Sequence, residues 1–140
     1  MTAPSTSAPI SRAVVQTLRG HTVLKNQVAG FYQGFAPKKA EYPFITYQIV
    51  GPAYDFPWGS AMIYCEVDVK AWSKNSVEAE NLDALINAAL FDASLSVDGQ
   101  TTLICRRVRD LIDQDVDEEG NKVYMVGGSF EVETDQPYSG

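Results

Sequence analysis

The chain has 140 residues, 45% hydrophobic and 21% charged, with a formal net charge of −7. That length is most simply one domain, large enough to bury a core without metal or disulfide support. The acidic balance argues against nucleic-acid binding, which needs a basic face, and no apolar run approaches the ~20 residues that span a bilayer.

The charge is unevenly placed. Residues 1–40 hold Arg12, Arg19, Lys25, Lys38 and Lys39 and no acid, giving +5. The rest holds all 18 acids against six bases, giving −12. This fits two differently solvated faces, or unlike faces of identical subunits that attract one another in a head-to-tail ring.

Met1 to Pro9 has neither a basic nor an apolar leader segment and reads as a flexible arm, not a signal peptide. Pro9 to Gly20 reads as a first helix, with Ile10, Val14 and Leu18 on one face, Ser7 able to cap it and Gly20 suited to its end. His21 then reads as a surface residue or one favoured by the dipole at the helix C-terminus. Thr22 to Asn26 fits one short helical turn, and Val28 to Phe35 a short extended segment. A loop from Ala36 to Pro43 leads into Phe44 to Val50, whose β-branched and aromatic residues predict a strand. Gly51 to Gly59 contains Pro52 and Pro57, which remove ladder donors, so it reads as a long aromatic loop.

Ser60 to Trp72 alternates apolar and polar residues and predicts a long strand with one wet face. The pattern then turns helical. Asn75 with Glu78 fits a capping pair, Ser73 being an alternative cap, and Ala79, Leu82, Leu85, Ile86, Ala89 and Leu90 form one apolar stripe. Ser94 to Gly99 and Leu103 to Ile112 read as strand, turn and strand. A hairpin joins Leu103–Val116 to Lys122–Thr134 through the acidic tip Asp117 to Asn121. The expected fold is α+β: an antiparallel sheet of four or more strands with two helices packed on one face. The expected organisation is an arm over 1–9, one domain over 10–134 and a frayed tail over 135–140.

No constellation of catalytic residues emerges. The one histidine lies beside no nucleophile, and no Gly-x-Ser-x-Gly elbow or phosphate-cradling loop occurs. Gly127-Gly128 lies inside a strand and reads as a bulge or a close backbone contact. Cys65 and Cys105 read as buried free thiols, a bridge being open only if their strands are neighbours in register. One His and two Cys at this spacing do not resemble a zinc site. Six acids from Asp110 to Glu119 lack the Gly and Glu of a calcium loop, since counting from Asp113 puts Glu118 sixth and Tyr124 twelfth. They read as a solvated hairpin. Alternation places Arg107 and Arg109 on one strand face and Arg106 on the other, with Glu131, Glu133, Glu66 and Asp68 as candidate partners. No cofactor or metal is expected.

Several segments in order resemble one family. An opening helix ends in Leu18-Arg19-Gly20, then come Val28-Ala29-Gly30-Phe31-Tyr32 and Pro43-Phe44-Ile45-Thr46-Tyr47. Cys65-Glu66-Val67-Asp68-Val69-Lys70-Ala71-Trp72-Ser73 precedes the Ala/Glu/Leu helix, and a hairpin with Tyr124 and Phe130 follows. From Ile10 to Thr134 the chain resembles the tail-completion, or tail terminator, proteins of long-tailed bacteriophages; the 51–59 loop is longer than usual and the arm is extra. The resemblance implies a structural, non-enzymatic virion protein of the tail or neck, assembled in the host cytoplasm. It implies a ring, commonly hexameric, that caps the head-proximal end of the tail tube, ends polymerisation and meets the head–tail connector. The acidic excess fits a channel that DNA traverses without specific binding, since like charges repel. No membrane is implied.

Candidate interface residues are Arg12, Arg19, Lys38 and Lys39 on the basic side and Asp113, Asp115, Asp117, Glu118 and Glu119 on the acidic side. Tyr54, Phe56 and Trp58 are candidate apolar anchors, unless their loop folds back over the sheet edge. Another head–tail connector or neck subunit, or a small-molecule binding module using the sheet face, are the alternative functions.

Overall fold

A strand that alternates apolar and polar residues needs a cover for its apolar side, and the helix following it in sequence supplies part of one. The computed structural model describes residues 7–50, 54–55, 62–91, 96–97 and 100–135. The elements are α1 (Ser7–Gly20), α2 (Thr22–Gln27), β1 (Gly30–Gln33), β2 (Phe44–Ile49), β3 (Tyr54–Asp55), β4 (Met62–Ser73), α3 (Ser76–Leu90), β5 (Ser96–Val97), β6 (Gln100–Val116) and β7 (Lys122–Asp135). Five strands form the body of the sheet in the order β1-β2-β4-β7-β6, and the two-residue strands β3 and β5 pair with β4 and β6. The fold is α+β, as the sequence predicts. Two details differ: the described residues form three helices, and β1 runs parallel to β2 within a sheet otherwise antiparallel. The first six residues, Phe56, Trp58 and the tail from 136 lie outside the described residues.

The helix that follows β4 starts where two side chains share the capping. Asn75 Oδ1 accepts from the Glu78 amide at 3.0 Å, while Ser73 Oγ accepts from the Asn75 amide at 3.0 Å and donates to the Glu78 carboxylate at 2.6 Å. Both candidate caps are therefore used, and they satisfy donors that the first helical turn leaves open. The stripe expected on α3 is the buried one, through Ala79, Leu82, Ile86 and Leu90. Leu82, Ile86 and Leu90 join Ile10, Val14 and Leu18 of α1, Leu24 of α2 and Ile45, Val67, Val69, Phe130 and Val132 of the sheet in one core cluster. His21 has a different role from the one expected. Its Nδ1 accepts from the Leu24 amide at 3.3 Å, so it caps the start of α2 and does not complement the end of α1.

The register of β6 against β7 slips between Arg107 and Arg109. Arg107 lies opposite Phe130 and Arg109 opposite Ser129, so the two arginines point to opposite faces. This corrects the simple alternation of the sequence: a bulge adds one residue, and every side chain after it changes side. Arg106 and Arg109 now share the face away from the helices, where they pair with Glu131 and Glu66. Those two glutamates are directly opposed on β7 and β4, so the arginines relieve a like-charge contact. Arg107 turns under α3 instead. It makes a bidentate pair with Asp83 at 2.8 and 2.9 Å, donates to the Gly127 carbonyl at 2.6 Å, and lies over the Phe130 ring.

The double glycine belongs to the same arrangement. A Cβ on Gly127 would sit 2.2 Å from the Val69 carbonyl oxygen, and one on Gly128 would sit 2.6 Å from Arg107 Nε. Of the two readings offered by the sequence, close approach is the one realised. Cys65 and Cys105 are both buried and neither is in a disulfide, and each is paired in register with Val132. With β7 between their strands, the two cysteines lie about two strand spacings apart, roughly 9–10 Å, beyond disulfide reach.

Gly127→Ala forces backbone apart and should cost about 2–3 kcal/mol in denaturant unfolding; an unchanged midpoint would contradict the close approach. Asp83→Ala leaves a mostly buried guanidinium without its main partner and should cost about 2 kcal/mol. Asp110→Ala should cost much less, because that carboxylate is 77% exposed. Burial, and secondarily Glu66, push the Cys65 thiol up to about 11, so it stays protonated at pH 8. Mass spectrometry after brief thiol labelling at that pH should find Cys65 unmodified in the native chain and modified after denaturation.

Candidate assembly surface

With its helix-facing side covered, the sheet offers the opposite face and its two edges. The opposite face has an aromatic end and a charged end. At the aromatic end Phe44 packs against Tyr32, Tyr42 and Trp72, with ring centroids 5.8, 5.0 and 6.2 Å apart, and Trp72 Nε1 donates to Thr46 Oγ1. The charged end holds the Arg106–Glu131 and Arg109–Glu66 pairs and the Asp68–Ser129 hydrogen bond. Every charge here has a partner of complementary character, which suits a solvated or loosely covered surface better than a reactive one. Among the described residues no group of three His, Cys, Asp or Glu side chains could hold a metal ion.

The edges are unlike. On one side lies β1, four residues long and preceded by α2. On the other lies β6, which β5 covers only at Gln100 and Thr101. No described strand pairs with its outer edge from 102 to 116. An open edge offers a row of backbone donors and acceptors to another chain. Val108, Ile112 and Val116 are exposed along it, Ile112 by 76%. The sequence analysis missed this strip; apolar residues at 112 and 116 within an acidic run were the available signal.

The acids expected at the interface are divided among several places. Asp113 and Asp115 lie opposite Met125 and Val123, on the face away from the helices, and accept from the next amide in the chain. Asp117 is part of the turn itself. Its Oδ1 accepts from the amides of Glu119 and Asn121, and the Asn121 amide above all holds its carboxyl below the usual range. Gly120 completes the turn at φ 85°. Glu118 and Glu119 are exposed at the tip. Burial, then Asp117 and Asp115, push the Tyr42 phenol up, so the loop before β2 lies close to this hairpin.

Of the basic candidates, Arg12 and Arg19 are exposed on α1, and the Arg19 guanidinium lies 5.7 Å from the Phe31 ring centroid. Lys38 meets Glu118 at 3.4 Å within the same chain, with both side chains at least 75% exposed. Such a pair contributes little to stability. Lys39 is exposed beside it. Tyr54 lies in β3, where its backbone pairs with Tyr64.

A groove on the helix side runs between α3 and β6. Glu80, Asp83, Ala84 and Asn87 form one wall and Arg107, Asp110, Ile112 and Val126 the other, around an open volume of about 390 Å³. Asn87 Oδ1 is buried and has no hydrogen-bond partner among the described residues. A buried acceptor left without a donor costs free energy that a suitable partner recovers.

This architecture recurs in solved structures. A chain from the virion of a native gene transfer agent particle matches with a TM-score of 0.70 and 17% identity, covering 89% of this chain and 93% of that one. The gp17 protein of bacteriophage SPP1 matches with a TM-score of 0.51 and 18% identity, covering 93% of this chain and 91% of that one. At such identities the likeness is one of fold. No curated protein matches the chain in sequence. The model of the family described as tail completion protein gp17 matches residues 12–126, from within α1 to the first part of β7, just short of the double glycine. The chain therefore belongs to the tail completion protein gp17 family, structural proteins of the phage tail and not a class of enzymes.

Proposed function

We propose that copies of this chain close head to tail into a ring, six being the number implied by the family resemblance, that caps the head-proximal end of the phage tail tube. The ring ends tube polymerisation, joins the tail to the head connector, and lets DNA pass through its channel without binding it specifically. The observation that carries this reading is the pair of unlike open edges on one sheet. A heterologous contact between two different patches propagates from copy to copy and closes when the rotation allows.

Charge supports the same direction of assembly. The β1 edge belongs to the first forty residues, which carry no acid, whereas Asp110 to Glu119 on the β6 side carry six acids and no base. Lys38 meets Glu118 within one copy; the exposed Arg12, Arg19 and Lys39 are assigned to the neighbour's acidic β6 side, Lys39 to the groove beside β6 and the arginines to the run that holds Asp113, Asp115 and Glu119. Such groups steer approach more than they hold the complex. Tyr54, Phe56 and Trp58 are assigned as apolar anchors toward the tube or the connector.

Adding the purified chain to polymerising tail-tube protein should shorten the tubes and leave density at one end in negative-stain images. Unchanged tube lengths with bare ends would overturn the capping role, and binding to purified head connector alone would make the chain a different neck subunit. Reversing Asp113, Asp115 and Glu119 to lysine should slow ring formation about tenfold at low salt, with the difference vanishing once the Debye length falls to about 3 Å near 1 M salt. Equal rates at low salt would remove those acids from the contact.

A further inference from the structure

We propose that Phe35 of one copy seats in the groove between α3 and β6 of the next, so that the ring is held by an aromatic knob at the β1 edge. The proposal rests on the ring reading above and names the contact that makes it. Phe35 is 89% exposed, the most exposed of the large apolar side chains described. It is also held in place. Gly34, at φ 76°, turns the chain after β1 and donates to the Tyr47 carbonyl at 2.9 Å, and the Phe35 amide donates to the Gln33 carbonyl at 3.0 Å. An aromatic ring presented to water by an ordered turn loses little conformational freedom on docking, which is what makes such residues dominate interfaces.

The groove complements it. Ala84, Ile112 and Val126 give apolar contact. Three acids, Glu80, Asp83 and Asp110, surround one arginine there. Asp83 and Asp110 are already engaged by Arg107, which leaves Glu80 to meet a cation. Lys39, four residues beyond Phe35, is exposed and lies in the segment that contains no acid.

The register places the two features at matching heights. Gln33 pairs with Tyr47, Tyr47 with Val69, Val69 with Gly128 and Gly128 with Asp110. A copy added edge to edge without slipping along the strands therefore brings Phe35 beside Arg107 and Asp110, where the groove lies. Following the strand directions across the sheet, β1 of the added copy runs antiparallel to β6. Phe31 and Gln33 of β1 also face the helix layer, as the core contact of Phe31 and the bond from Gln33 to Ser11 indicate, which is the side on which the groove opens.

The full-length chain carrying Phe35→Cys and Val108→Cys, the exposed edge residue that this register sets level with Phe35, mildly oxidised at a concentration where the wild type assembles or at tube ends, should give a ladder of covalent multimers on a denaturing gel. Each single variant should give dimers at most, since Cys65 and Cys105 are buried. Phe35→Ala and Ile112→Lys should each weaken association at least about tenfold by sedimentation, and the double variant should lose little more, as coupled neighbours do. Both sites are exposed, so thermal midpoints should stay at the wild-type value. Full assembly by Phe35→Ala would overturn the contact; if Ile112→Lys nonetheless fails to assemble, another segment of the neighbour fills the groove. If the wild type caps tubes while the double-cysteine variant caps them without forming a ladder, this contact is wrong and the ring survives. If the wild type neither assembles nor caps, the ring reading falls and takes this contact with it.

Discussion

One extra residue in β6 shapes everything on the helix-side margin of the sheet. Without the slip near Val108, strict alternation would turn Arg109, Leu111 and Asp113 toward α3. With it, Asp110 and Ile112 line the groove and Arg109 reaches Glu66 on the other face. Arg107, just before the slip, is set between α3 and the hairpin, and the glycines opposite leave room for its guanidinium to cross β7. The bulge, the double glycine and the Arg107–Asp83 pair thus form one interdependent unit. A bulged edge also resists indiscriminate strand addition, so an open edge can exist on an unassembled subunit and still favour one partner geometry.

Much of the fold was legible because local signals agreed with one another. The wet-face alternation of β4, the Asn75–Glu78 cap and the apolar stripe of α3 each pointed to the same unit, and Asp117 to Asn121 announced its turn through Asp and Gly. Consistency of this kind is what sequence reading detects. The bulge was illegible because it depends on a pairing between strands, and alternation read along one strand carries no trace of an inserted residue. Gly127-Gly128 hinted at a close approach without saying which neighbour came near. The parallel direction of β1 is likewise set by how the 34–43 loop returns across the sheet, not by any residue within β1. His21 shows a subtler failure: a residue between two helices belongs to the end of one and the start of the next, and only the Leu24 amide decided which.

The candidate site was legible in charge and illegible in shape. Composition separated a basic first forty residues from an acidic remainder, and that division stands as a property of the chain. Its simplest use, basic loop against acidic hairpin between copies, is complicated by the Lys38–Glu118 contact inside a single copy. What composition could not reveal was that Phe35 and Ile112 would both be left in water on opposite margins of the sheet. Each is ordinary in sequence. Their exposure comes from a positive-φ glycine in one case and a register slip in the other.

The account turns on whether unlike edges of the sheet meet. A density map of the purified chain at the end of a tail tube, at a resolution that traces strands, decides this most directly. The account predicts a closed annulus in which β6 of each copy lies beside β1 of the next, with the strands antiparallel. A two-fold dimer pairing β6 with β6, or isolated subunits whose β6 edge faces only solvent at the tube end, would contradict it.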